Sequence, residues 1–103
     1  MGRCAPVPDS FNRPAAVYLL HFADGSHYIG TTSAGVDRRL RRHISGYGSI
    51  WVYRKVLQVG PPTVGAVEWW PSMISALTAE RKHKRYRREF YAKCSVCGGK
   101  ADG

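Results

Sequence analysis

The chain is 103 residues long, so a single domain with one modest core is the expectation. A hydrophobic content of 44% excludes a disordered chain, and 16 Lys and Arg against 7 acidic residues give a formal charge of +9. That charge points to a polyanion, nucleic acid ahead of an anionic membrane, and no window is long and apolar enough for a membrane-spanning helix.

Residues 1–14 carry Pro6, Pro8 and Pro14 with little periodicity and read as an irregular arm. The segment has no apolar core and so is not a secretory signal, and Pro6 breaks the myristoylation pattern. Three cysteines cannot all pair within one chain, so a reducing, cytoplasmic location is expected. Residues 15–91 form the predicted domain. Residues 15–22, AAVYLLHF, predict a strand. Asp24-Gly25 predicts a turn, because Gly accepts a positive φ, and residues 27–31 return as a second strand. Gly30 within that strand suggests a bulge or a close backbone approach.

A helix is expected from about Val36 to Tyr47. Val36, Leu40, Ile44 and Tyr47 form its apolar face, and Gly46 and Gly48 stop it. Residues 49–57 favour a short helix over a strand, Gly60-Pro61-Pro62 breaks the chain, and residues 63–70 read as a third strand. A long helix is then predicted from Ser72, a plausible N-cap, to about Tyr91, with Met73, Leu77, Glu80 and Lys84 on one stripe. Residues 92–103 are read as a flexible tail carrying Cys94 and Cys97. The fold class is α/β (α+β): a small three-stranded antiparallel sheet flanked by helices.

Glu80 shares a stripe with apolar residues, and a buried carboxylate needs compensation. It would pair with the arginines of the first helix in a structural ion pair, stand as an ordinary exposed Glu beside Arg81 and Lys84, or hold Mg²⁺ through oxygen. Arg39 and His43 are four residues apart on one helical face. A guanidinium fork can grip a phosphate and offset its growing charge, and an imidazole can donate to the phosphate or relay a proton. Solvated helix decoration is the plainer alternative for both. Tyr18 and Tyr28 lie on the two hairpin strands. They would pack as sheet aromatics, or position and deprotonate a water. The run from Arg81 to Arg88 is basic around its whole circumference, which suits phosphate contact without sequence preference and lacks the broad apolar face of a membrane helix. Cys94 and Cys97 have the spacing of half a zinc site, for which Cys4 and His83 are the available partners, with ordinary reduced thiols as the alternative.

Taken together, these residues resemble the GIY-YIG endonuclease family. Ala16-Val17-Tyr18 stands where its first motif would, and Tyr28-Ile29-Gly30 matches the second literally. Arg39-Leu40-Arg41-Arg42-His43 matches the arginine helix, and Ala76-Leu77-Thr78-Ala79-Glu80-Arg81 looks like the metal-ligand helix. The similarity spans residues 15–90 and is greatest to small stand-alone members. It implies hydrolysis of DNA phosphodiester bonds, in double-stranded or branched DNA, with one Mg²⁺ or Mn²⁺ held by Glu80. It further implies that Arg39 stabilises the transition state, that Tyr18 or Tyr28 orients or deprotonates the water, and that His43 assists. Arg38, Arg41, Arg42, Arg81, Lys84 and Arg85 would contact DNA. The chain departs from the pattern at Ala16, in a loop before the arginine helix that is one residue longer, and in having no asparagine after Glu80. The longer loop leaves Arg38 as an alternative working arginine; Arg39 is preferred for its spacing to His43. The alternative function is a nucleic-acid-binding module, weakly catalytic or inactive, on the same fold.

Overall fold

A computed structural model describes residues 13–97. Most of the proposed N-terminal arm, Cys4 and the last six residues lie outside the described part. Strand β1 (Ala15–His21) is central, with β2 (His27–Thr32) antiparallel on one side and β3 (Thr63–Trp70) antiparallel on the other. Helices α1 (Val36–Ile44) and α2 (Ile50–Val59) follow β2. Helices α3 (Met73–Arg85) and α4 (Arg87–Tyr91) follow β3. The expected three-stranded antiparallel sheet flanked by helices is the observed fold. No helix among the described residues is long and apolar enough to cross a membrane.

The two-residue period of β1 sends its side chains to two separate cores. Ala15, Val17 and Leu19 bury against Ala76 and Ala79 of α3, Phe90 of α4, and Cys94. Tyr18, Leu20 and Phe22 bury against Val52 of α2, with Val36 and Leu40 of α1 at their margin. A central strand covered on both faces has no polar positions, which is why AAVYLLHF shows no alternation. The hairpin closes at Asp24-Gly25 as expected. Phe22 N–H donates to the Ser26 carbonyl at 2.9 Å, and Gly25 takes φ +88°, as the last residue of such a short loop must.

Three expected helical details differ. Helix α1 ends at Ile44 rather than Tyr47. Gly46, at φ +92°, turns the chain, and Tyr47 N–H closes the end on the Arg42 carbonyl. Tyr47 is therefore 76% exposed and Ile44 is exposed, and the buried face runs through Val36, Leu40 and His43 instead. On α3, Leu77 is exposed and Ala76 and Ala79 are buried, because small residues let the helix approach the sheet closely. Ser72 caps α3 in a reciprocal box with Ser75, but the helix breaks at Tyr86 so that Phe90 on α4 can reach the core.

The C-terminal cysteine segment is also not a free tail as far as it is described. Cys94 is buried in the core, and Cys97 packs against the same cluster.

Candidate active site

Two consecutive residues of edge strand β2, Gly30 and Thr31, face opposite sides of the sheet and organise the site. On one side lies Tyr18. It pairs with Gly30 across the ladder, and its phenol lies directly over that glycine. A Cβ at residue 30 would fall 2.4 Å from Tyr18 Oη, so only glycine leaves the hydroxyl room to reach the strand edge. The close approach suggested by the sequence is thus the correct reading of Gly30.

Tyr18 Oη is 2.8 Å from His43 Nε2. The other imidazole nitrogen, Nδ1, accepts from the Ser49 backbone N–H at 3.3 Å. A neutral imidazole with an accepting Nδ1 carries its hydrogen on Nε2. His43 therefore donates to the Tyr18 oxygen. Ser49 is also the N-cap of α2, taking Val52 N–H on its side chain, so the start of α2 sets the tautomer of His43. Gly48 makes this possible, since a Cβ there would lie 2.3 Å from His43 Nδ1. It is a clearance residue, whereas the expectation made it a helix stop.

His43 is fully buried, which overturns its reading as solvated decoration. Burial, helped by the charge of Arg39, lowers its pKa to about 4, so the ring is neutral near pH 7. The sign of the resulting linkage is definite. The unfolded chain protonates His43 near pH 6.5, the folded protein only near pH 4. The stability tied to neutral His43 is complete above pH 6.5 and is lost as pH falls from there toward 4, by roughly 3 kcal/mol. Urea unfolding at about pH 7.5 and about pH 4.5 should show this loss. His43→Gln should show a smaller pH difference than wild type.

Arg39 lies against the same phenol and is half-buried, while Arg38 is exposed; of the two, Arg39 is the one gathered into the site. Its Nε is buried with no hydrogen-bond partner among the described residues, a donor that a phosphate oxygen would satisfy. Burial pushes the Tyr18 pKa up to about 12, against the lowering effect of a hydrogen bond from Arg39. The Tyr18 oxygen thus faces donors from His43 and Arg39, and its own proton is left to point elsewhere. Tyr28 completes the aromatic cluster, its ring centroid 5.4 Å from His43 and 6.4 Å from Tyr18, with Trp51 stacked on it at 6.0 Å.

On the other side of β2 the Thr31 hydroxyl donates to Glu80 Oε1, and Lys84 Nζ lies 3.0 Å from Glu80 Oε2. The carboxylate is half-buried, and its charge is felt at Tyr18 around the strand edge. A hard divalent cation takes one or two carboxylate oxygens and leaves its other positions to waters and phosphates. Glu80 beside the Thr31 hydroxyl fits that donor set. Lys84, with a side chain 44% exposed on a flexible stem, marks where a cation is already accommodated.

The strand edge opens into a cleft of about 290 Å³ lined by His27, Tyr28, Ile29, Trp51, Lys84, Arg87 and Tyr91. Arg87 belongs to the basic run expected to contact phosphate, whereas Trp51 was not singled out from the sequence. Trp51 is 46% exposed, which places an indole face at the edge of this basic domain. Arg38, Arg41, Arg42, Arg81 and Arg85 are all exposed. His83, proposed as a zinc partner, is engaged elsewhere: it bonds Glu68 at 2.8 Å and stacks on Phe90 at 4.0 Å.

Comparison with known proteins agrees with the motif reading. The family model described as the GIY-YIG catalytic domain matches residues 14–93. The UPF0213 protein BH0048 of Halalkalibacterium halodurans is 36% identical over 72 residues, covering 70% of this chain and 71% of that protein. The solution NMR structure of the UPF0213 protein BH0048 from Bacillus halodurans aligns at a TM-score of 0.45 and 31% identity, covering 77% of this chain and 83% of that one. With four motifs in order and a family model spanning most of its length, this chain belongs to the GIY-YIG family.

Proposed function

We propose that this protein is an endonuclease that hydrolyses DNA phosphodiester bonds with the help of one divalent metal ion. The observation that carries the reading is the Tyr18 oxygen, which faces the His43 Nε2–H and the Arg39 guanidinium close to the Glu80 carboxylate. In this scheme Arg39 grips a non-bridging phosphate oxygen through its unpartnered Nε–H and offsets the charge that grows in the transition state. Tyr18 first loses its own proton to solvent, the two N–H donors at its oxygen stabilising the phenolate, and the phenolate then accepts the proton of the attacking water and returns to the phenol. His43 holds the phenol in place as a neutral donor. Tyr28 packs the phenol and fixes its direction. Glu80 would hold Mg²⁺ or Mn²⁺, which supplies Lewis-acid stabilisation to the phosphate and lowers the cost of ionising Tyr18 beside it.

The substrate surface is basic and includes an exposed aromatic. Stacking on Trp51 suits an unpaired base, which favours branched or nicked duplexes over uniform B-DNA. If Arg38, Arg41, Arg42, Arg81, Lys84 and Arg85 each neutralise one phosphate, log K will fall against log[salt] with a slope of about −5. Fluorescence anisotropy on a labelled duplex across a salt series measures it, and a slope near −1 would remove these six residues from the interface.

One observation favours the binding-module alternative: Lys84 already neutralises Glu80, as a metal-free site would require. Incubation of supercoiled plasmid and branched duplexes with Mg²⁺ or Mn²⁺ separates the two. Metal-dependent nicking supports the enzyme. Binding without cutting on any DNA form assigns the module.

A further inference from the structure

Away from Glu80, four side chains converge at the turn end of the hairpin. His21 and His27 are direct partners across the β1–β2 ladder. Cys94 and Cys97 arrive from beyond α4. His21 Nδ1 is 3.2 Å from His27 Nε2, 3.7 Å from Cys94 Sγ and 3.3 Å from Cys97 Sγ; Cys97 Sγ is 3.5 Å from His27 Nε2. All four donor atoms lie within 4.8 Å of one another.

We infer that His21, His27, Cys94 and Cys97 form a structural Zn²⁺ centre. Ideal tetrahedral zinc bonds place N and N about 3.3 Å apart, N and S about 3.6 Å, and S and S about 3.8 Å. The four separations given above follow that pattern, and the remaining two, from Cys94 Sγ to Cys97 Sγ and to His27 Nε2, lie within 4.8 Å. Four protein ligands close the coordination shell, which makes the site structural, and thiolate and imidazole donors select zinc over Mg²⁺. Binding releases the two thiol protons, so Zn²⁺ and two thiolates leave the partly buried cluster neutral. Around the cluster, Gly65, between the β3 partners of Leu19 and Leu20, clears space for Cys94, as a Cβ there would lie 2.5 Å from the sulfur. Tyr91 stacks on His27 at 4.4 Å.

The expected zinc partners of the cysteines, Cys4 and His83, are therefore replaced by the two hairpin histidines. The centre would clamp the chain after α4 onto the hairpin. His27 precedes Tyr28 and, with Tyr91, lines the β2 cleft, so zinc would brace one wall of that cleft.

The test needs no DNA and is independent of the nuclease reading. Full-length protein from zinc-supplemented cells, purified without chelator, should carry one zinc per chain by elemental mass spectrometry. Metal-free protein titrated with Co²⁺ should develop thiolate charge-transfer absorption and the strong visible bands of a tetrahedral ion. Cys97→Ser and His21→Ala should each weaken binding more than about 100-fold, whereas Asp37→Ala should leave it unchanged. Saturating zinc should raise the wild-type Tm by about 10 °C or more, a readout that does not depend on any variant folding. Wild type that takes up neither Zn²⁺ nor Co²⁺, unaltered binding by Cys97→Ser, or a metal-free Cys94–Cys97 disulfide in freshly purified protein would each overturn the assignment.

Discussion

Replacing Glu80 by Ala will slow DNA nicking by about 1,000-fold or more while leaving DNA affinity in metal-free buffer within about twofold of wild type. The separation follows from the geometry. Glu80 is a carboxylate beside Lys84 on a basic domain, where it can only repel phosphate, so binding loses nothing when it goes. Its structural partners are dispensable: the i,i+4 pair with Lys84, half-buried on the Glu80 side, contributes on the order of 0.5 kcal/mol, and the Thr31 hydroxyl can turn to water. Glu80→Gln makes the sharper comparison. It keeps the shape and can still accept from Thr31, but it is a poor ligand for a hard cation. Plasmid nicking and anisotropy measured side by side will show both variants folded, binding and inactive. Wild-type nicking by either variant would remove Glu80 from the chemistry, and with it the metal-dependent scheme.

How much of this could be read in advance depends on the kind of feature. Strand limits and the Ser72 cap follow from local chemistry: β-formers between turn residues, and a serine before a helical run. The long-range features are different. His43 looked like decoration because it stands beside Arg41 and Arg42, yet it falls at the seventh position after Val36, on the face Leu40 already marked. That spacing was the available signal, and the pull of Ile44 and Tyr47, both apolar, obscured it. Gly48 was read as punctuation because its reason, the Nδ1 of a histidine five residues earlier, exists only once the chain has turned back. The partnership of Cys94 and Cys97 with His21 and His27 depends on the hairpin register. A different loop length would move His27 along the strand away from His21, and no local pattern reveals that. Ala76 and Ala79 were overlooked in favour of Leu77, since hydrophobicity alone does not tell how closely a helix approaches a sheet.

Tyr18→Phe will reduce the nicking rate by about 100-fold to 10,000-fold, and more than Tyr28→Phe does. The two tyrosines were equivalent by motif, but their surroundings are not. Among the described residues, it is the Tyr18 oxygen that bonds His43, at 2.8 Å, and Arg39 bears on that same oxygen. Removing that one atom leaves the buried ring in place and leaves the His43 Nε2–H without an acceptor, costing about 1–3 kcal/mol of stability in addition to the rate. The pH–rate profile separates a base from a spacer. With the phenol at about 12 in the metal-free protein, a Tyr18 base makes nicking climb with pH across the neutral range, less steeply where the metal has lowered that value. The Phe variant should lose that climb while Tyr28→Phe keeps it. A profile that Tyr18→Phe lowers uniformly, without change of shape, would make Tyr18 a positioning group and return the role of base to Tyr28 or to solvent.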